Sequence, residues 1–242
     1  MNFKDKTVII TGAASGMALL SSKCFAEKGA NVVMADVSEK VFEEAERIPN
    51  TTAVIADVRD FSHAEKVTKT AYEKYGSVDI LINLAGGSAT RIFGYKGEFK
   101  DMPVEIMDWG IDVNLKGQMY FTRAVMPYMA EQKSGVIINI GSIAGEQGSA
   151  GTPEYSTAKS GIMYGFTKSM AQYGAKYGIR VCCVSPGPVL TRPGMSTMKT
   201  LMDRAAEPQE IVDLILYLSS DKASFITGTN YLIDGGRNCI RP

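Results

Sequence analysis

Val8-Ile9-Ile10-Thr11-Gly12-Ala13-Ala14-Ser15-Gly16-Met17-Ala18 is the stretch that decides the fold. A short apolar run ends in a glycine-bearing turn and passes at once into a segment that reads as helix over 16–28. Such a strand–turn–helix opens a βαβ unit. Glycines let the backbone turn tightly and leave the free N–H groups of a helix N-terminus open to an anion such as a diphosphate. Gly12, Ser15, Gly16 and Met17 are therefore candidate cofactor residues. Asp36 closes the next apolar run, 24 residues after Gly12. A carboxylate there suits both hydroxyls of an adenosine ribose and repels a 2′-phosphate. Val37 and Ser38 follow it, so neither the turn nor the strand end offers Arg or Lys to a phosphate. The expected cofactor is NAD.

The same alternation continues to the end of the chain. Strands are expected at 8–10, 31–35, 53–55, 80–82, 136–140, 181–184 and 231–233, and helices at 16–28, 38–47, 61–75, 103–112, 115–132, 153–177 and 208–219. Near-continuous apolar strands separated by helices predict a parallel sheet covered on both faces. The expected fold is α/β: a Rossmann-type, doubly wound, seven-stranded sheet in one domain over 1–242. Two long stretches follow strand ends, where open sheets bind ligands, and read as substrate loops. One runs over about 86–101, with Gly86, Gly87, Gly94 and Gly97. The other runs over about 186–207, with Pro186, Pro188 and Pro193.

Bulk properties narrow the function. The 242 residues hold 26 basic and 26 acidic side chains, a net charge of zero, which gives no reason to expect nucleic acid or an anionic membrane. No apolar run approaches the ~20 residues of a membrane span. Met1 to Lys6 carries no apolar signal segment. Cys24, Cys182, Cys183 and Cys239 lack metal-ligand spacing, so reduced thiols, no metal and a cytoplasmic location are expected. His63, the one histidine, argues against a His-based triad.

Tyr155 and Lys159, in Tyr155-Ser156-Thr157-Ala158-Lys159, stack on one helix face. An ammonium beside a phenol favours the phenolate and predicts a lowered Tyr155 pKa, suited to proton transfer at a substrate oxygen. Ser142 precedes Tyr155 by thirteen residues. With the glycine turn and Asp36, this set resembles the short-chain dehydrogenase/reductase family in its compact single-domain branch, over nearly the whole chain. The family's Thr-Gly-x-x-x-Gly-x-Gly matches at Thr11, Gly12 and Gly16, with Ala18 in place of the last glycine.

The resemblance implies further roles. Asp57-Val58 looks like the pair that contacts adenine, although an aspartate there also suits a helix cap. Asn83-Leu84-Ala85-Gly86 resembles Asn-Asn-Ala-Gly, which stabilises the sheet and lines the adenosine side. Asn114 matches the residue that distorts its helix and holds a water in a relay to Lys159. Ser142 would hold the substrate oxygen against Tyr155, the acid/base, while Lys159 bonds the nicotinamide ribose. Pro186-Gly187-Pro188-Val189-Leu190-Thr191 resembles Pro-Gly-x-x-x-Thr, which binds the nicotinamide carboxamide through Val189 and Thr191. The implied activity is NAD(H)-dependent interconversion of a secondary alcohol and a ketone by a homotetramer or homodimer. A small-molecule sugar, polyol or hydroxysteroid is the favoured substrate, with Arg91, Lys96 and Arg192 available to an anion. The alternatives are a 3-oxoacyl thioester (acyl-carrier-protein) reductase and a non-catalytic NAD-sensing regulator. An enoyl reductase of this family would space its Tyr and Lys more widely than four residues.

Overall fold

The computed structural model describes residues 1–192 and 194–240, so Pro193 of the second expected loop lies outside the described residues. These residues form one seven-stranded parallel sheet: β1 (Thr7–Thr11), β2 (Asn31–Asp36), β3 (Thr51–Ile55), β4 (Ile80–Asn83), β5 (Gly135–Ile140), β6 (Ile179–Pro186) and β7 (Asn230–Ile233). Their order is β3-β2-β1-β4-β5-β6-β7. The chain thus winds outward from β1 in one direction and from β4 in the other. A crevice opens above β1 and β4, where ligands of doubly wound sheets bind.

The strands read as unbroken apolar runs because helices cover both faces. Val8, Ile10, Val32, Met34, Ile138, Cys182 and Val184 point into one core layer, packed under α1 (Gly16–Glu27) and α10 (Pro208–Ser219). Ile9, Val33, Ala35, Ile137 and Val181 point into the other. That second layer lies beneath α3 (Phe61–Tyr75), α6 (Gly117–Gln132) and α9 (Thr167–Ala175). Period-two alternation within each strand feeds both layers. Cys182 and Cys183 therefore lie on opposite faces, as expected; burial pushes the Cys183 thiol up to about 11.

Two helices depart from the expectation of simple segments. The break expected between 103–112 and 115–132 is a continuous helix: α5 (Val104–Ile111), a π-helical turn (Asp112–Lys116) and α6. The second long helix contains α8 (Pro153–Ser160), a π turn (Gly161–Phe166) and α9. Three short α-helices are also present. α2 is Lys40–Glu46, α4 is Ala89–Ile92 inside the first expected loop, and α7 is Ile143–Gln147 directly after β5. Ser88 and Ser142 cap α4 and α7 through their hydroxyls. Asp60, not Asp57, caps α3, accepting from the N–H of Ser62. Among the described residues, no helix is long and apolar enough to cross a membrane.

Candidate functional site

The C-terminal ends of β1, β2, β4, β5 and β6 surround a cavity of about 1050 Å³. Gly12, Ser15, Gly16, Met17, Asp36, Asp57, Val58, Ala85, Gly86, Ser142, Tyr155, Pro186, Gly187, Val189 and Thr191 all line it. Of the other expected site residues, Asn83, Asn114 and Lys159 do not line it and are buried, each at most 2% exposed. Arg91 and Arg192 line it as well, whereas Lys96 does not.

The glycine turn is built to bring a ligand close. A side chain on Gly12 would come within 2.9 Å of the Ala85 backbone, so β1 and the strand-β4 loop meet there with no room for a Cβ. Gly16 has φ +58°, and a Cβ built on it meets no atom within 4 Å. A side chain there would project into the cavity, so its absence leaves a cradle at the head of α1. No acidic side chain occupies the first turn of α1, and Ser15 makes no capping bond, so those N–H groups face the cavity without a protein anion. This fits a diphosphate at a helix N-terminus. Ala18, in place of the family glycine, is buried in the core beneath α1.

Asp36 is held by two backbone bonds at the end of β2. Its Oδ2 accepts from the N–H of Ala14 at 2.9 Å and its Oδ1 from the N–H of Ser38 at 2.8 Å. Each oxygen keeps a lone pair for a ligand hydroxyl. Asp57 is engaged differently. Its carboxylate grips Arg59, with Oδ2 2.6 Å from Nη2, which holds Asp57 below the usual carboxylate range. The N–H of Asp57 donates to Nδ1 of His63 at 3.1 Å, which accounts for the lone histidine as a strap on this turn.

A buried polar network lies behind the lining residues Gly86 and Gly87. The Asn114 side chain donates to the Gly87 and Gly110 carbonyls and accepts from the Gly87 N–H, each at 2.9 Å. Its position in the π turn aims it at the strand-β4 loop. Gly86 packs against it so closely that a Cβ would lie 2.6 Å from Asn114 Oδ1 and 3.4 Å from Lys159 Nζ. Gln118 brackets Ile140, accepting from its N–H and donating to its carbonyl at 3.0 Å, and also donates to the Asn114 carbonyl. Nothing in the sequence marks Gln118, because its partners are backbone atoms remote in the chain. Asn83 donates to Asn139 Oδ1 at 3.0 Å, and Asn139 donates to Thr167 at 3.1 Å, tying β4 and β5 to the start of α9.

Lys159 Nζ donates to the Ile140 carbonyl at 2.8 Å and stands 5.6 Å from the centre of the Tyr155 ring. Burial pushes Lys159 down to about 8. The expected lowering of Tyr155 is not found in the free protein: burial raises it. The groups pulling it back are the Ser142 hydroxyl and the charges of Arg192 and Arg91, not Lys159. The ammonium is itself sunk in the protein and directed at a carbonyl, so desolvation outweighs its help.

Known proteins share this plan. A family model described as "Enoyl-(Acyl carrier protein) reductase" matches residues 12–238. The chain belongs to the short-chain dehydrogenase/reductase family. It is 37% identical over 248 residues to a trans-4-hydroxycyclohexanecarboxylate dehydrogenase of Sinomonas cyclohexanicum, covering 96% of this chain and 92% of that one. It is 34% identical over 250 residues to the 3-oxoacyl-[acyl-carrier-protein] reductase FabG of Thermotoga maritima, covering 98% and 99%. The crystal structure of gox2181 superposes with a TM-score of 0.90 at 28% identity, covering 99% of this chain and 98% of that chain. The protein is thus an oxidoreductase of a family that generally uses NAD(P)(H), and its doubly wound sheet is the family fold.

Proposed function

We propose that the protein is an NAD(H)-dependent dehydrogenase that interconverts a secondary alcohol and a ketone, with Tyr155 as acid/base. The observation that carries this reading is the meeting of Tyr155 and Ser142 in one cavity wall, over buried Lys159 and across from the Gly12–Gly16 cradle. The cradle would hold the cofactor diphosphate and Asp36 the adenosine ribose, with Val58 and Ala85 along the adenine side. Pro186, Gly187, Val189 and Thr191 would hold the carboxamide. When bound, the nicotinamide ring supplies or accepts the hydride.

The chain's residues do the rest. Ser142 orients the substrate oxygen, and Tyr155 removes its proton during oxidation and returns it during reduction. Lys159 bonds the nicotinamide ribose and brings a positive charge beneath the phenol. Asn114 fixes Gly86 and Gly87 above Lys159 and continues the proton path toward solvent. Asp36 supports NAD over NADP, since its two backbone bonds hold a negative charge where a 2′-phosphate would sit. A cytoplasmic homotetramer or homodimer acting on a small molecule, over a single domain of 1–242, completes the proposal.

The likeness to FabG favours one second reading, reduction of a 3-oxoacyl thioester. Incubating the protein with NAD+ or NADP+ and a panel of alcohols, beside 3-oxoacyl thioesters with NADH or NADPH, separates the readings. We expect NADH formation from secondary alcohols and little reaction with NADP+. Turnover of thioesters alone would favour the reductase. NADH binding with no turnover of any compound would favour a non-catalytic sensor.

A further inference from the structure

The cavity is electrically divided. Its carboxylates, Asp36 and Asp57, lie above β2 and β3, and Asp57 already neutralises Arg59. The rest of the lining contains Arg91, Arg192 and Arg237 and no carboxylate. Arg91 sits on α4, which follows β4, and Arg192 lies past the end of β6. β5, which ends at Ile140 two residues before Ser142, runs between those two strands. The topology therefore brings the segments bearing Arg91 and Arg192 in from either side of β5, and both residues line the cavity that Ser142 and Tyr155 also line. Among the described residues, neither Arg91 nor Arg192 makes a salt bridge.

Two like charges that share a partly apolar cavity repel, and they are close enough here to act on each other and on Tyr155. Burial and the charge of Arg192 both push Arg91 down. Both residues are solvent-exposed, so a ligand oxyanion entering the cavity can reach them. A guanidinium matches a planar or tetrahedral oxyanion with two parallel N–H bonds.

We propose that the substrate carries an oxyanion group, a carboxylate or a phosphate, gripped by Arg91 and Arg192 from the two sides of the reacting carbon. This rests on the reading of the protein as an alcohol dehydrogenase and sharpens it. The expected substrate class becomes a hydroxy acid or a phosphorylated polyol or sugar, in place of a neutral sugar, polyol or steroid. Lys96, outside the cavity, takes no part.

Calorimetric titration of the NADH-saturated protein tests this before the substrate is known. The probes are malonate against malonamide, and glycerol 3-phosphate against glycerol. At least one anion should bind at least about tenfold more tightly than its neutral counterpart, as charge-assisted bonds require. Tighter binding of malonate would identify a carboxylate, and tighter binding of glycerol 3-phosphate a phosphate. Arg91→Met and Arg192→Met should each weaken that anion about tenfold while changing NADH affinity less than about twofold. Equal binding of charged and neutral probes overturns the inference, as does undiminished anion binding in both variants. A parallel loss of NADH affinity also overturns it, because the guanidiniums would then serve the cofactor diphosphate. If NADH itself fails to bind, the dehydrogenase reading is what fails. The same titrations on the nucleotide-free protein then decide the oxyanion site.

Discussion

Replacing Lys159 by Met should make the nucleotide-free protein more stable at neutral pH. Lys159 is 2% exposed, and burial lowers its pKa from 10.5 to about 8. At about 1.4 kcal/mol per pH unit this corresponds to roughly 3 kcal/mol of unfavourable charge burial below pH 8. Substitution also removes one hydrogen bond, worth about 1–1.5 kcal/mol. The Ile140 carbonyl is not left orphaned, because Gln118 Nε2 still donates to it at 3.0 Å. The net gain is about 2 kcal/mol, or about 4–8 °C in melting temperature for a chain of this size.

The sign of the pH dependence follows from linkage. Between pH 8 and 10.5 the unfolded wild-type chain holds the Lys159 proton and the folded chain has released it, so wild-type stability rises with pH in that window. The advantage of the variant should shrink above pH 8 and vanish near about pH 9.5, where the lost charge burial equals the lost hydrogen bond. Urea unfolding followed by circular dichroism at pH 7 and pH 9.5 measures this. A variant less stable than wild type at pH 7, or a difference unchanged between the two pH values, refutes the reasoning. A residue kept despite costing stability fits a function that needs its charge.

Three further predictions come from the cavity wall. Asp36→Ala should weaken NAD binding about 5- to 150-fold, the equivalent of about 1–3 kcal/mol, and narrow the preference over NADP, as read from KM for both nucleotides; an unchanged NAD preference would refute the ribose role. Gly86→Ala should drive a methyl into Asn114 Oδ1 and toward Lys159 Nζ, lowering kcat/KM at least about tenfold while the circular dichroism spectrum stays native; wild-type kinetics would show that the buried network tolerates displacement. Arg91→Met and Arg192→Met should each shift the alkaline rise of kcat/KM for alcohol oxidation to higher pH, because each removes a cation that favours the Tyr155 phenolate; a shift to lower pH would contradict that electrostatic role.

Much of this architecture was legible in the residues because the sheet is buried on both faces. Ile9 and Ile10 point into different core layers yet are both apolar, so β1 reads as a continuous run, and the same logic exposed the other strands. The turn after β1 and Asp36 also announced themselves through residue type. The π turns did not. Slipping a helix by one hydrogen bond around Asn114 leaves no trace in hydropathy, so the continuous helix from α5 to α6 read as two. Four- and five-residue helices such as α4 and α7 are too short for periodicity to reveal.

The partners of Lys159 and Gln118 are backbone atoms, which carry no side-chain signal. The spacing of Tyr155 and Lys159 correctly suggested proximity but not direction: the ammonium turns to Ile140, and the phenol feels Arg91 and Arg192 more. Those arginines are far apart in the chain and line one cavity because β4 and β6 flank β5.

The central claim is that Tyr155 moves the substrate proton. Tyr155→Phe removes one hydroxyl and keeps the ring that lines the cavity. Turnover of any alcohol accepted by the wild type, measured as NADH formation beside NADH affinity by fluorescence titration, tests it most directly. The account predicts loss of nearly all turnover with NADH affinity within about twofold of wild type, because the hydroxyl acts on the substrate oxygen. Near-normal turnover in this variant would contradict it.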